Sequence, residues 1–136
     1  MANQSASKLD FPVREGEEQW TAEEIAQLRA ELEEELEQHR EALHRAEEAL
    51  KGILGDEGAS GDAADIGSAN FERDHEMTLA ANAGEMIEQT RTALDAIDDG
   101  TYGHCQECGE AIGKGRLQVY PRAILCMACK QRQERR

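Results

Sequence analysis

The chain has 136 residues, a net charge of −14, 32% charged residues and only 4% aromatics, with a mean hydropathy of −0.73. That is too little apolar material for a thick globular core, so apolar side chains have to lie in thin seams such as paired helices. No stretch is long and apolar enough for a membrane helix or a signal peptide, and the charge is uneven. Residues 1–60 carry 6 Lys/Arg against 16 Asp/Glu (−10), residues 61–100 carry 2 against 10 (−8), and residues 101–136 carry 7 against 3 (+4). The first hundred residues would therefore repel a phosphate backbone.

Residues 1–20 are polar and lack periodicity, which predicts a flexible N-terminal arm. A helix then opens at Thr21-Ala-Glu-Glu24, a capping box in which the Thr21 hydroxyl accepts from the Glu24 N–H and the Glu24 side chain reaches back. Trp20 and Ile25 occupy the positions of a hydrophobic staple. From there Ile25, Leu28, Leu32, Leu36, His39, Leu43, Ala46, Leu50 and Ile53 recur at steps of three and four. That period predicts one long amphipathic helix of the coiled-coil type. Glu31, Glu33, Glu34, Glu35 and Glu37 surround the seam as a solvated face rather than a metal or catalytic cluster.

Gly52, Gly55, Gly58 and Gly61 break this helix. A second periodic segment follows, with Phe71, His75, Leu79, Asn82/Ala83, Met86, Thr90, Ala93 and Ile97 as its expected seam. Asp98-Asp99-Gly100 ends it, Gly100 suiting a left-handed position after the helix. Two such segments joined by a short loop predict a long antiparallel coiled-coil hairpin over 21–100, with its tip near 55–67 and arms of roughly 50 Å at 1.5 Å per residue. The tip carries Asp62 and Asp65 on one face of a first helical turn. The same two acids would serve as helix-capping groups, or as a carboxylate pair presented at the end of a rigid arm.

Residues 101–136 contain all four cysteines, as Cys105-x2-Cys108-x17-Cys126-x2-Cys129. Two closely spaced thiolate pairs at that separation can close a tetrahedron around one Zn²⁺. Two disulfides, a redox pair and an iron–sulfur cluster are the rival uses. A four-thiolate zinc site has no open position and is structural. Gln118-Val-Tyr120 reads as a short strand before Pro121, and a C-terminal helix is expected from near Cys126 through Lys130. The expected fold is thus mainly α: a long antiparallel coiled-coil helical hairpin, a small four-cysteine zinc finger and a C-terminal helix.

The tip Asp62-x-x-Asp65-x-Gly67 and the finger resemble the DksA/TraR family of bacterial RNA polymerase-binding proteins. The finger residues that carry the likeness are Tyr102-Gly103-His104-Cys105-x-x-Cys108-Gly109-x-x-Ile112-Gly113, Arg116-Leu117, Pro121 and Leu125-Cys126-x-x-Cys129-Lys130. The likeness covers roughly 21–136, including the distance from the acidic pair to the first cysteine. It implies a coiled-coil hairpin that enters the polymerase secondary channel, an acidic tip at Asp62 and Asp65 that alters open-complex stability and initiation, and zinc held by the four cysteines. It also implies a site for the alarmone ppGpp, where Lys130 matches one basic group of the family. At the other two positions stand Gln89 and Tyr120, neither cationic, so a weak or absent ppGpp response is expected. Gly67 replaces the usual alanine of the tip, at a cost of about 1 kcal/mol in a helix.

The resulting expectation is a non-enzymatic, cytoplasmic, monomeric transcription regulator, without sequence-specific DNA binding of its own. A competing reading is a zinc-stabilised coiled-coil module that pairs with a different protein. A third is a nucleic-acid-binding ribbon using Lys114, Arg116, Arg122, Lys130, Arg132, Arg135 and Arg136. No nucleophile–base pair or phosphate loop supports an enzyme.

Overall fold

The computed structural model describes residues 11–55 and 63–135, with the backbone alone at 54–55 and 63–65. Four helices follow in chain order: α1 (Ala22–Gly55), α2 (Ala63–Asp99), α3 (Lys114–Val119) and α4 (Met127–Glu134). No strand occurs among the described residues, where an isolated antiparallel bridge joins His104 to Ala111. α1 and α2 pair as a hairpin. They divide between two compact units, one made of residues 1–34 and 89–136 and one of residues 35–88.

The predicted start of α1 is present. Glu24 N–H donates to Thr21 Oγ1 at 3.1 Å, and Thr21 N–H donates to Glu24 Oε1 at 2.9 Å. α2 ends as its sequence requires: Gly100 takes a φ of 81°. Its N–H reaches the Ile97 carbonyl at 3.3 Å while the Thr101 N–H reaches that of Ala96 at 2.9 Å. These two bonds form the Schellman pattern that satisfies carbonyls left over at a helix end.

In the first unit the helices converge on a core with the finger. Leu28 and Leu32 of α1, Ala93 and Ile97 of α2, and Tyr102, Ile112, Leu117 and Leu125 of the finger are all buried. The antiparallel pairing is marked by an ion pair between Arg29, near the start of α1, and Asp98, near the end of α2.

Residues 11–20, expected within a flexible arm, are instead packed into this core as a strap; residues 1–10 of that arm lie outside the described residues. Phe11 and Trp20 are each 2% exposed. Both meet Tyr102, Phe11 edge-on at 5.9 Å between ring centres and Trp20 tilted at 6.4 Å. Trp20, expected as a staple for α1 alone, thus joins the strap, the helix pair and the finger. Burying two large aromatics supplies several kcal/mol that a free arm would forgo.

In the second unit α1 follows its expected seam. Leu36, His39, Leu43, Ala46, Leu50 and Ile53 are all buried or half-buried. α2 does not. Its inward stripe is Ala69, Arg73, Glu76, Ala80, Ala83 and Ile87, whereas Phe71, His75, Leu79 and Asn82, expected inside, are exposed. The inward residues recur at steps of 4, 3, 4, 3 and 4, an unbroken heptad spacing that continues through Thr90, Leu94 and Ile97. The expected seam is therefore corrected: from Ala83 onward it points inward as expected, and before that Ala69, Arg73, Glu76 and Ala80 do.

The finger holds a second correction. Gln118 and Val119 belong to α3 with Tyr120 at its end, so the expected strand is a helix. α3 begins after Gly113, at φ 117° and without a side-chain cap of its own. The cap comes from the strap: Glu17 accepts from the N–H groups of Lys114 at 2.8 Å and Gly115 at 2.9 Å. A carboxylate at a helix N-terminus satisfies orphan donors and favours the helix dipole. The φ of Gly113 is one that side chains rarely adopt, so the position needs glycine, and a Cβ there would also crowd Arg14 Cδ at 3.1 Å. The expected C-terminal helix is present as α4, with Cys126 at its N-cap.

Candidate functional site

The four cysteines come from two local structures. Cys105 and Cys108 sit on a tight turn closed by the Gly109 N–H on the Cys105 carbonyl at 2.9 Å, and the Cys105 N–H bonds the Glu110 carbonyl at 2.8 Å. Gly103 and Gly109, on either side of the pair, both take positive φ, as expected of a chain folding around a metal. Cys126 and Cys129 lie at the start of α4, where the Lys130 N–H closes the first turn on the Cys126 carbonyl at 2.9 Å. A bond from the Gln106 N–H to the Ile124 carbonyl, 2.9 Å, ties the two halves together.

All four sulfurs lie within 4.8 Å of one another, and Cys108 Sγ is 3.8 Å from Cys126 Sγ. Four Zn–S bonds of about 2.3 Å impose tetrahedron edges of about 3.8 Å, so the spacing fits zinc. It does not fit disulfides, since all four are free thiols and a sulfur–sulfur bond is about 2.0 Å. Burial and the closeness of the other thiols oppose ionisation of all four together. Burial pushes the Cys129 thiol up to about 12, and its three neighbouring thiols add to the effect. At Cys105 burial again opposes the charge, but backbone N–H groups of Cys108, Cys126 and Glu107 outweigh it and bring the thiol down to about 6. A divalent metal resolves the conflict by holding all four as thiolates. Arg132 Nη2 donates to Cys129 Sγ at 3.5 Å. It offsets the net charge of a four-thiolate centre from just outside the ligand shell, a role that spacing alone did not reveal.

The basic residues of the tail divide sharply. Lys114 is 8% exposed: its Nζ pairs with Glu24 Oε1 at 2.8 Å, bonds the Gln19 carbonyl at 3.3 Å and lies 5.5 Å from the centre of the Trp20 ring. Lys114 is thus part of the core and drops out of the nucleic-acid reading. Arg116, Arg122 and Lys130 instead surround a depression of about 420 Å³ that also includes Gln89 and Tyr120. Arg122 Nη1 donates to Gln89 Oε1 at 3.3 Å, and its guanidinium sits 4.9 Å over Tyr120. The two positions that lack a cation are therefore both in contact with the same arginine. Lys130 Nζ is 3.8 Å from Glu134 Oε2. Asp62 lies outside the described residues, and Asp65 stands in α2 with its backbone alone described.

The finger geometry agrees with what comparison with known proteins finds. Residues 100–135 match the prokaryotic dksA/traR C4-type zinc finger. An RNA polymerase-binding transcription factor DksA of Caulobacter vibrioides is 31% identical over 96 residues, covering 71% of this chain and 68% of the relative. The chain belongs to the DksA/TraR family. The DksA of Escherichia coli is 37% identical over 46 residues, covering 34% of this chain and 30% of its own. The solved structure of transcription factor DksA2 from Pseudomonas aeruginosa superposes with a TM-score of 0.69 at 27% identity, covering 84% of this chain and 85% of its own. As in this family's zinc finger, Cys105, Cys108, Cys126 and Cys129 are the ligands of one structural zinc. With no open position, the metal organises the finger and does no chemistry. Among the described residues no helix is long and apolar enough to cross a membrane.

Proposed function

We propose that this chain is a non-enzymatic transcription regulator that binds RNA polymerase, working as a monomer in the cytoplasm. The observation that carries the reading is the 31% identity over 96 residues to a DksA named for polymerase binding, joined to a four-cysteine site whose sulfur spacing fits zinc. The hairpin enters the secondary channel and presents Asp62 and Asp65 toward the catalytic centre. Carboxylates there engage basic side chains or perturb bound Mg²⁺, which alters open-complex stability and initiation. The acidic bulk of the chain, at −18 over residues 1–100 (8 basic against 26 acidic side chains), disfavours DNA as the direct ligand.

A promoter transcription assay with core enzyme and its initiation factor tests this. Wild type should change transcript yield, and an Asp62→Asn/Asp65→Asn chain should bind polymerase yet lose most of that effect. Equal effects from both proteins would remove the tip mechanism. An interaction module with another partner is the reading that remains if polymerase is not bound at all.

The alarmone response is weak in this reading, because Gln89 and Tyr120 carry no charge and Arg122 is already engaged with both. Calorimetric titration of the polymerase complex with ppGpp should show little heat from this site. A large heat abolished by Lys130→Ala or Arg122→Ala would overturn that expectation.

A further inference from the structure

In the unit of residues 35–88, the first half of α2 turns large apolar side chains outward. Ile66, Phe71, Met77 and Leu79 are 50%, 77%, 53% and 43% exposed, while the neighbouring inward positions hold Ala69, Arg73, Glu76, Ala80 and Ala83. Among the described residues no large apolar side chain of α1 in this unit is similarly exposed. Phe71, His75 and Leu79 are spaced i, i+4, i+8 and so form one continuous ridge on the side of α2 turned away from its inward stripe. Phe71, the most exposed of these, adds little to the stability of the helix that carries it. An exposed ridge of this spacing is the pattern by which a helix seats in a partner's groove.

Charge restricts the partner. Residues 66–88 carry Glu72, Asp74, Glu76, Glu85 and Glu88 against Arg73, and Arg73 belongs to the inward stripe. The ridge is therefore apolar with acidic flanks, Glu72 and Asp74 both being exposed beside Phe71 and His75. Its complement is an apolar surface edged with lysine or arginine. In a second copy only the finger is basic, at +4 over residues 101–136 against −18 over residues 1–100, so pairing hairpin to hairpin fails that requirement.

We propose that Phe71, His75 and Leu79 form a docking ridge, separate from the acidic pair of the tip, that seats on an apolar, basic-edged surface of RNA polymerase. The inference rests on the polymerase-binding reading and adds where the hairpin is gripped.

The experiment titrates the full zinc-loaded chain against polymerase core at low and high salt. It compares wild type, Phe71→Ala/Leu79→Ala and Val119→Ala. Alanine keeps helix propensity, so circular dichroism of the double variant should match wild type. Its Kd should rise about tenfold, the scale of a lost apolar anchor pair. Val119, 86% exposed in the finger, is the control for a lost exposed apolar group and should leave Kd unchanged. Salt should weaken wild-type binding through the acidic flanks. A double variant that binds as tightly as wild type overturns the ridge and leaves polymerase binding standing. Wild type that does not bind polymerase overturns both. A wild-type dimer that the double variant cannot form would assign the ridge to a second copy and overturn the proposal as stated.

Discussion

The two units use the same pair of helices in opposite ways. In the first, large side chains go inward: Phe11, Trp20, Leu32 and Leu117 are among the most completely buried residues of the chain, and a zinc site closes one side of the core. In the second, the first half of α2 turns Ala69, Arg73, Glu76 and Ala80 inward and Phe71, Met77 and Leu79 outward. Stability tracks apolar area removed from water, so the first unit is the anchor of the fold. The second unit has a thin seam and leaves Phe71, Met77 and Leu79 of α2 available for a partner.

The largest effect that tests this contrast is removal of the metal. Zinc binding to four thiolates is on the order of 10 kcal/mol in small fingers, and Cys105, Cys126 and Cys129 belong to the same core cluster as Trp20. Trp20 is the only tryptophan, so its fluorescence reports the first unit alone. Chelation, or Cys129→Ser, should shift Trp20 emission to the red and expose the strap to proteolysis. Unchanged emission after complete metal loss would mean that the apolar core holds without zinc.

Next in size is a pair of truncations, one in each unit. Leu32 is 0% exposed and Phe71 is 77% exposed. Leu32→Ala should cost about 2–5 kcal/mol, through lost transfer energy and a residual cavity. Phe71→Ala should stay within about 0.5 kcal/mol of wild type in urea melts. Comparable losses would show that the distal ridge does pack within the protein, and would erase the contrast between the units.

What could be read from residues alone follows the same division. The capping box at Thr21, the α1 seam, the Gly100 terminus and the four cysteines were legible because each signal is a short motif or a regular spacing within one continuous stretch of chain. The α2 seam was half legible. Its first half carries two overlapping periodic stripes, one through Phe71, His75 and Leu79 and one of small and charged residues through Ala69, Arg73, Glu76 and Ala80. Periodicity favours the large one, while pairing with α1 continues the stripe fixed by Thr90, Leu94 and Ile97. α3 was missed because Val119 and Tyr120 are β-formers and because its cap, Glu17, lies far away in sequence. The packing of Phe11 was missed for the same reason: its partner Tyr102 is equally remote. At the alarmone position Gln89 and Tyr120 read as two missing cations, and only the fold brings Arg122 against both.

The smallest effect separates the strap from the zinc within the first unit. Hydrogen bonds to Glu17, chiefly from the Gly115 N–H and then from Arg14 and Lys114, hold its carboxyl below its ordinary value against the opposing effect of burial. Glu24 is likewise lowered, first by its bond from Lys114 and then by that from Thr21. For a carboxylate depressed in the folded state, the unfolded chain takes up its proton first as pH falls. The stabilisation is thus complete above the unfolded value and is lost as pH drops through the lower folded one. Acid also protonates the zinc thiolates, so a wild-type melt alone mixes the two causes. Glu17→Gln separates them, since it removes the strap's charge and leaves all four cysteines in place. The variant should melt lower than wild type at pH 7, and the gap should shrink as pH falls below about 4, because the wild-type carboxylate is then being lost as well. A gap that stays constant through that range would mean that the Glu17 charge contributes nothing to holding the strap, and that its other contacts, Phe11 and Trp20 foremost, keep it on the finger.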